Sequence, residues 1–365
     1  MLLTPEEIKQ QTRQLWHTCF PNDSEDFLDL YFEDRYTDQR NVTIRKNAKV
    51  VAATQVLPFK FHFAGHFIPV GYVSGLCTAP KQRGKGYATQ ALKEAHRKMY
   101  DEGALISFLI PGDEHLRKFY ESEDHGAYYT ATHRLAIDVT PDGTIKSKSN
   151  PNLKIDIQAE YEWGRDLWTY YNTFGGRHPY EIKLDEDAFF AAIQTHDLND
   201  GLVIVARRRG KIVGFCLAIR EGKPLKSGKR SAKTFQGCIR FLLTTDEQIM
   251  QQLQARAFQL LDVKEMVMVG GCPARGFKGA EPYAMARIIN VEKFLTFIGR
   301  LYPGLQLHVG IQNDHDIPEN NGFYQLIDGR LHITDQKPDS ITTPGGLAAV
   351  FLAAQPVLMP MLLDD

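Results

Sequence analysis

Apolar positions change their spacing several times along the chain, and each change marks an element. At the start they recur with helical spacing: Ile8, Leu15 and Trp16 share a face through about Phe20. Thr4 stands as N-cap, Pro5 at the first helical position and Glu7 three residues after the cap, a capping box. A second helical piece carries Phe27, Leu28, Leu30, Tyr31 and Phe32. The spacing then turns into short runs rich in β-branched and aromatic residues at 42–45, 50–56, 59–63 and 67–78. Asn47-Ala48 and Ala64-Gly65 supply tight turns between them. After a Gly/Lys turn over 81–86, helical spacing returns at 87–100 with the stripe Ala88, Ala91, Leu92, Ala95, closed by Gly103. Residues 104–110 are continuously apolar, as in a strand buried on both faces. Pro111-Gly112 opens a helix through Leu116 and Tyr120, and 127–139 returns as a strand.

This order predicts an α/β unit over 1–140, and Gly143, Ser147, Ser149, Asn150 and Pro151 make 142–152 a linker. A weaker unit of similar layout follows over 141–282. It has a short alternating strand at Leu153, Ile155 and Ile157, a helix at 185–193, and a hairpin of 203–206 with 213–219 around Arg209-Gly210. A strand at 238–243, a helix at 246–261 and a strand at 265–269 complete it, with only Thr244-Thr245 where the first unit has its Gly/Lys turn. We take it as a degenerate duplicate. The remainder, 283–365, is small and α+β: a helix at 291–301, a strand at 305–312, a hairpin around Asp328-Gly329 and a closing helix at 345–354.

Composition narrows the class. Of 365 residues, 43% are hydrophobic and 24% charged, which excludes wholesale disorder. Lys+Arg 43 against Asp+Glu 44 leaves a net charge of −1, with no general pull toward nucleic acid or an anionic membrane. Five cysteines without C-x-x-C or Cys/His spacing argue against structural zinc and a disulfide framework, and suit a reducing cytoplasm. No signal peptide opens the chain, and Pro356 and Pro360 interrupt its most apolar stretch, so no membrane association is expected. Asn313-Asp-His-Asp316 lacks calcium-loop spacing and is taken as a turn, and no metal site is expected.

The sharpest chemical feature is Arg83-Gly84-Lys85-Gly86-Tyr87-Ala88, between a strand and a helix. Its glycines let consecutive main-chain N–H groups approach an anion at a helix N-terminus, where the dipole favours phosphate, and Arg83 and Lys85 add charge-assisted contacts. A solvated helix cap is the plain alternative. The sequence has neither the Walker pattern nor the dinucleotide-binding Gly-x-Gly-x-x-Gly.

The segment resembles the pyrophosphate loop of the GNAT superfamily of N-acetyltransferases, Gln/Arg-x-x-Gly-x-Gly/Ala, and the meander before it and Phe119-Tyr120-Glu121 after the next strand match the GNAT order over 1–140. The whole chain resembles the Eis-like acetyltransferases: a GNAT fold, a degenerate second GNAT-like domain without the loop, and a small sterol-carrier-protein-like domain, the last matched loosely by 285–295 and 319–324.

The resemblance implies acetyl-CoA as cosubstrate and direct acetyl transfer to a primary amine in a ternary complex, the acceptor a small molecule or a peptide, with self-association of the chain. It implies that the backbone of Leu76, Cys77 and Thr78 lies along the acetyl and pantetheine arm, and that Arg83, Gly84, Lys85, Gly86, Tyr87, Ala88 and Thr89 meet the diphosphate. Eis-like enzymes take a Tyr as acid from a Phe-Gly-Tyr-Gly stretch; here Asp124-His125-Gly126-Ala127-Tyr128-Tyr129 replaces it, making Tyr128 the first choice and Tyr129 the second. Both also suit a packed strand. The base would be the C-terminal carboxylate, here on Asp365, although Asp364-Asp365 departs from the usual aromatic-ended tail and equally suits a frayed end. These departures keep open a weak catalyst, or a non-catalytic CoA- or lipid-binding regulatory module. About 80 residues in the last unit leave little room for a lipid cavity beside a core.

Overall fold

The computed structural model describes residues 3–122, 128–139, 155–176, 178–224, 230–269, 280–353 and 355–359. The expected linker, residues 124–127 of the 124–129 stretch that replaces Phe-Gly-Tyr-Gly, and Asp365 lie outside these residues.

Helix α1 (Pro5–Cys19) begins with the expected capping box, Thr4 and Glu7 each serving the other's main-chain N–H. After α2 (Glu25–Leu30) come β1 (Asn41–Lys46), β2 (Lys49–Phe63) and β3 (His66–Thr78), an antiparallel meander. The chain crosses back through α3 (Tyr87–Asp101), so β4 (Ile106–Leu109) lies parallel to β3. Every residue of β4 is buried, as its unbroken apolar run requires. Next come α4 (Glu114–Glu121), capped by Asp113, and β5 (Thr130–Val139).

The second stretch holds β6 (Ile155–Glu160), α5 (Arg165–Phe174), β7 (Tyr180–Lys183), α6 (Glu186–Leu198), β8 (Leu202–Arg208), β9 (Lys211–Pro224), β10 (Arg230–Thr244), α7 (Glu247–Leu261) and β11 (Met266–Val269). β8, β9 and β10 form a meander, and α7 returns the chain so that β11 is parallel to β10. Strand directions and crossover helix thus repeat those of β1 to β4.

The next strand, β12 (Ala280–Ile288), runs across the boundary expected at 282/283. It lies between β4 and β5, antiparallel to both. β5 in turn pairs with β11, so a twelve-stranded sheet runs in the order β1-β2-β3-β4-β12-β5-β11-β10-β9-β8-β6, with β7 added to β2. Ala284, Met285, Ala286 and Ile288 of β12 are buried, which suits a central strand.

Beyond it, α8 (Val291–Leu301) is followed by β13 (Leu307–Ile311), β14 (Gly322–Ile327), β15 (Arg330–Thr334), β16 (Ser340–Thr342) and α9 (Pro344–Leu352). These four strands form a separate sheet, β15-β14-β13-β16. One apolar cluster joins all three stretches, uniting Phe61 and Phe108 with Phe189 and Phe215 and with Phe294 and Leu347. Among the described residues, no helix is long and apolar enough to cross a membrane.

Candidate active site

The site is built where β3 outlasts its neighbour. β3 pairs with β4 only from Val70 to Tyr72, then runs six residues further, to Thr78. Along that stretch one edge of its backbone meets no strand among the described residues. β3 also bends there. Ala53 pairs with Cys77 and Gln55 with Ser74, so Gly75 and Leu76 together face Thr54, a β-bulge. Gly75 has φ +60°, and the Trp16 ring occupies the space a β-carbon would need.

Past Thr78 a single 3₁₀ turn (Pro80–Gln82) leads into the glycine loop. Gly84 and Gly86 have φ of +74° and +79°, and a β-carbon on either would project into open space. Gly86 is the N-cap of α3, and no side chain caps that helix. In the repeated unit the equivalent helix, α7, is closed by Asp246, whose carboxylate accepts from the amides of Gln248 and Ile249. That carboxylate occupies the place where an anion would bind. Only the first copy therefore leaves its helix dipole and first-turn N–H groups available. Arg83 to Gly86 are exposed. Arg83 donates from Nε to the Thr78 carbonyl (3.2 Å), and Lys85 rests on the Lys81 carbonyl and Gln82 Oε1. The residues present fit a diphosphate: an uncapped helix start, two open left-handed glycines and two cations.

Tyr128 and Tyr129 stand at the head of β5, both buried. Tyr128 has φ +50°, unusual for a side-chain-bearing residue, and its carbonyl lies where a β-carbon on Gly345, in the first turn of α9, would sit. The Tyr129 hydroxyl is committed to Ser107 Oγ (2.6 Å) and His96 Nε2 (2.9 Å). Burial pushes its pKa well above the ordinary phenol value, so it keeps its proton. His96 Nδ1 in turn meets Asp316 Oδ2 at 2.7 Å. Burial, then the nearby Arg287 guanidinium, lowers the pKa of His96 and keeps it neutral. Arg287, wholly buried on β12, reaches Asp314 Oδ2 at 2.8 Å, and Asn320 binds the same carboxylate. The turn expected at 313–316 therefore carries two inward-facing carboxylates. Sequence reasoning passed over this network. Its one signal was an arginine inside the apolar run of 284–289, which needs a buried counter-ion.

A second buried acid lies elsewhere. Glu181 on β7 lines a cavity of about 60 Å³ with Phe174, Phe241, Met250 and Met268. Burial raises its pKa to about 7, against stabilising amides from Gly176 and His178. The folded protein thus keeps a proton that the unfolded chain loses above pH 4.5. Stability contributed by this group is fully present below pH 4.5 and lost as pH rises toward 7, by about 3 kcal/mol in all. Urea melts at pH 5 and pH 8 are expected to show Glu181→Gln gaining on the wild type at the higher pH; equal differences at both would contradict the assignment.

Residues 2–126 match the family model of the acetyltransferase (GNAT) domain. No curated protein matches the chain. Among solved structures, the GCN5-related N-acetyltransferase from Anabaena variabilis superposes with TM-score 0.69 at 16% identity, over 96% of this chain and 88% of its own. Eis1 from Mycobacterium abscessus gives 0.68 at 13%, over 96% and 88%. A probable N-acyltransferase from Enterococcus faecalis gives 0.67 at 16%, over 97% and 89%. At these identities the likeness is one of fold, and it extends across all three stretches. The mixed α/β GNAT fold expected from sequence is present. The first third of the chain is a GNAT acetyltransferase domain.

Proposed function

We propose that the protein moves an acetyl group from acetyl-CoA directly to a primary amine, both substrates being bound together. The uncapped start of α3, opened by Gly84 and Gly86 at the end of an overhanging β3, is the observation that carries this reading. In it the amides and cations from Arg83 to Thr89 hold the diphosphate, and the free edge of β3 at Leu76, Cys77 and Thr78 lies along the pantetheine arm and thioester. The acceptor nitrogen, deprotonated, attacks the thioester carbon, and main-chain N–H groups of that edge steady the oxyanion. When the C–S bond breaks, Tyr128 gives the departing thiolate its proton. The Asp365 carboxylate takes the proton of the incoming ammonium.

In this reading the chain is Eis-like, divided at about 140 and, because β12 belongs to the large sheet, after 288 rather than at 282, with the sheet β15-β14-β13-β16 and helices α8 and α9 forming the sterol-carrier-like unit. The acceptor is a small-molecule or peptide amine. Thiol release from acetyl-CoA, followed across a panel of amines, tests it. Tyr128→Phe is expected to lower kcat by about 10²-fold, the scale of a lost general acid, with KM for acetyl-CoA little changed. Unaltered kcat removes Tyr128 from the role, and no amine-dependent thiol release from the wild type removes the activity.

A further inference from the structure

The last residue of α1, Cys19, lies against the end of β3. Its sulfur is 3.3 Å from the Thr78 carbonyl oxygen and 3.8 Å from Arg83 Nη2. The same Thr78 carbonyl receives Arg83 Nε, so thiol, strand end and loop cation form one cluster. Cys77 completes it. Its side chain is buried in a small apolar group against which Cys19 packs, and its thiol donates to the Ala53 carbonyl at 3.6 Å. Neither is in a disulfide. Cys19 is half-buried and reachable; Cys77 is sealed behind it.

The cluster divides the labour between the sulfurs. The neighbouring Cys77 thiol, then the Arg83 guanidinium, favours the Cys19 thiolate and draws its pKa down to about 6, while Cys19 and burial push the Cys77 thiol up. An accessible thiolate with a buried thiol in contact is the arrangement that thiol–disulfide exchange uses: one sulfur attacks, the other resolves. Cys216 lacks it, being wholly buried with its thiol pushed up by desolvation.

We propose that Cys19 and Cys77 form a thiol–disulfide modification site, in which Cys19 attacks a low-molecular-weight disulfide, Cys77 closes an intramolecular bond, and the grip of the glycine loop on acetyl-CoA weakens. In the first step the Cys19 thiolate forms a bond to one sulfur of the reagent, whose S–S bond breaks and releases one thiolate. In the second, Cys77 loses its proton and attacks Cys19 Sγ; the mixed disulfide breaks and a second small thiol leaves. The reagent gains two electrons and two protons, and the protein loses the same.

The effect on the loop follows from geometry. A disulfide requires its sulfurs at about 2.05 Å, well inside hydrogen-bonding separation, so closure draws the last turn of α1 onto β3 beside the bulge at Gly75 and Leu76. It also removes the anionic sulfur that steadies Arg83. This second half rests on the acetyl-CoA reading of the loop; the covalent half does not. By reciprocity, bound acetyl-CoA disfavours the closed disulfide at equilibrium.

The test treats the full-length protein with oxidised glutathione at pH 7.5, alkylates remaining thiols and maps the peptides without reduction. The expected result is a Cys19–Cys77 linked peptide that dithiothreitol reverses, and an acetyl-CoA Kd raised about fivefold in the oxidised protein. Cys77→Ser should halt at a glutathione adduct on Cys19, and Cys19→Ala should give neither product. In the wild type, an unreacted Cys19, or an adduct that never resolves, overturns the pair without reference to any variant's folding. Equal acetyl-CoA affinity in both oxidation states overturns the coupling. A linked peptide in protein that binds no acetyl-CoA in either state supports the pair and overturns the loop reading instead.

Discussion

Acetyl-CoA titrated into Arg83→Glu/Gly86→Asp protein is expected to give a Kd raised by at least about 10²-fold, with circular dichroism unchanged. Each charge-assisted hydrogen bond to a phosphate contributes about 1.5–3 kcal/mol, and each tenfold in Kd is 1.4 kcal/mol, so losing two reaches that range. Glu at 83 puts a like charge beside the diphosphate. Asp at 86 places a carboxylate of the chain's own at the helix start, a like charge against an incoming phosphate. No atom stands in the way of a β-carbon at 86, so the cost to folding is the left-handed backbone itself, about 1 kcal/mol. Calorimetry showing unaltered affinity would leave α3 as an ordinary solvated cap.

Arg287→Met is expected to cost about 3–5 kcal/mol of stability, the range found when one partner of a buried ion pair is removed. The side chain is wholly buried, and Asp314 and Asp316 face it from the loop after β13. Without the guanidinium, the Asp314 carboxylate keeps Asn320 and the Ile317 amide but loses its counter-charge. A fall in the urea midpoint at unchanged m-value checks this, and a shift under about 1 kcal/mol would show that the carboxylates are neutralised another way. The substitution should also reach the proposed catalytic tyrosine. Asp316 orients His96, and His96 holds the Tyr129 hydroxyl next to Tyr128.

The elements with a strong local signature were legible before any coordinates. Thr4, Pro5 and Glu7 marked the start of α1, and Asp328-Gly329 placed the hairpin of β14 and β15. The unbroken apolar run gave β4, and Arg83 to Ala88 located the uncapped start of α3. What escaped depends on distant partners. Residues 180–183 become β7 only by pairing with 60–63 of β2, and nothing in four residues announces that edge. Residues 280–288 contain Pro282 and Arg287, which obscure a central strand until Asp314 and Asp316 are seen to meet the arginine. His96 resembled any histidine on a helix, because its partners are 33 and 220 residues away. Cys19 and Cys77, 58 positions apart, showed no spacing that would join them.

The position of β12 has a consequence for how the molecule comes into being. A ribosome that has released the first 140 residues has delivered both strands flanking a gap, but not the strand that fills it. Until residue 288 emerges, β4 and β5 present unpaired edges to whatever else is nearby. A piece of the chain cut after residue 140 therefore carries both flanking edges without the strand that joins them.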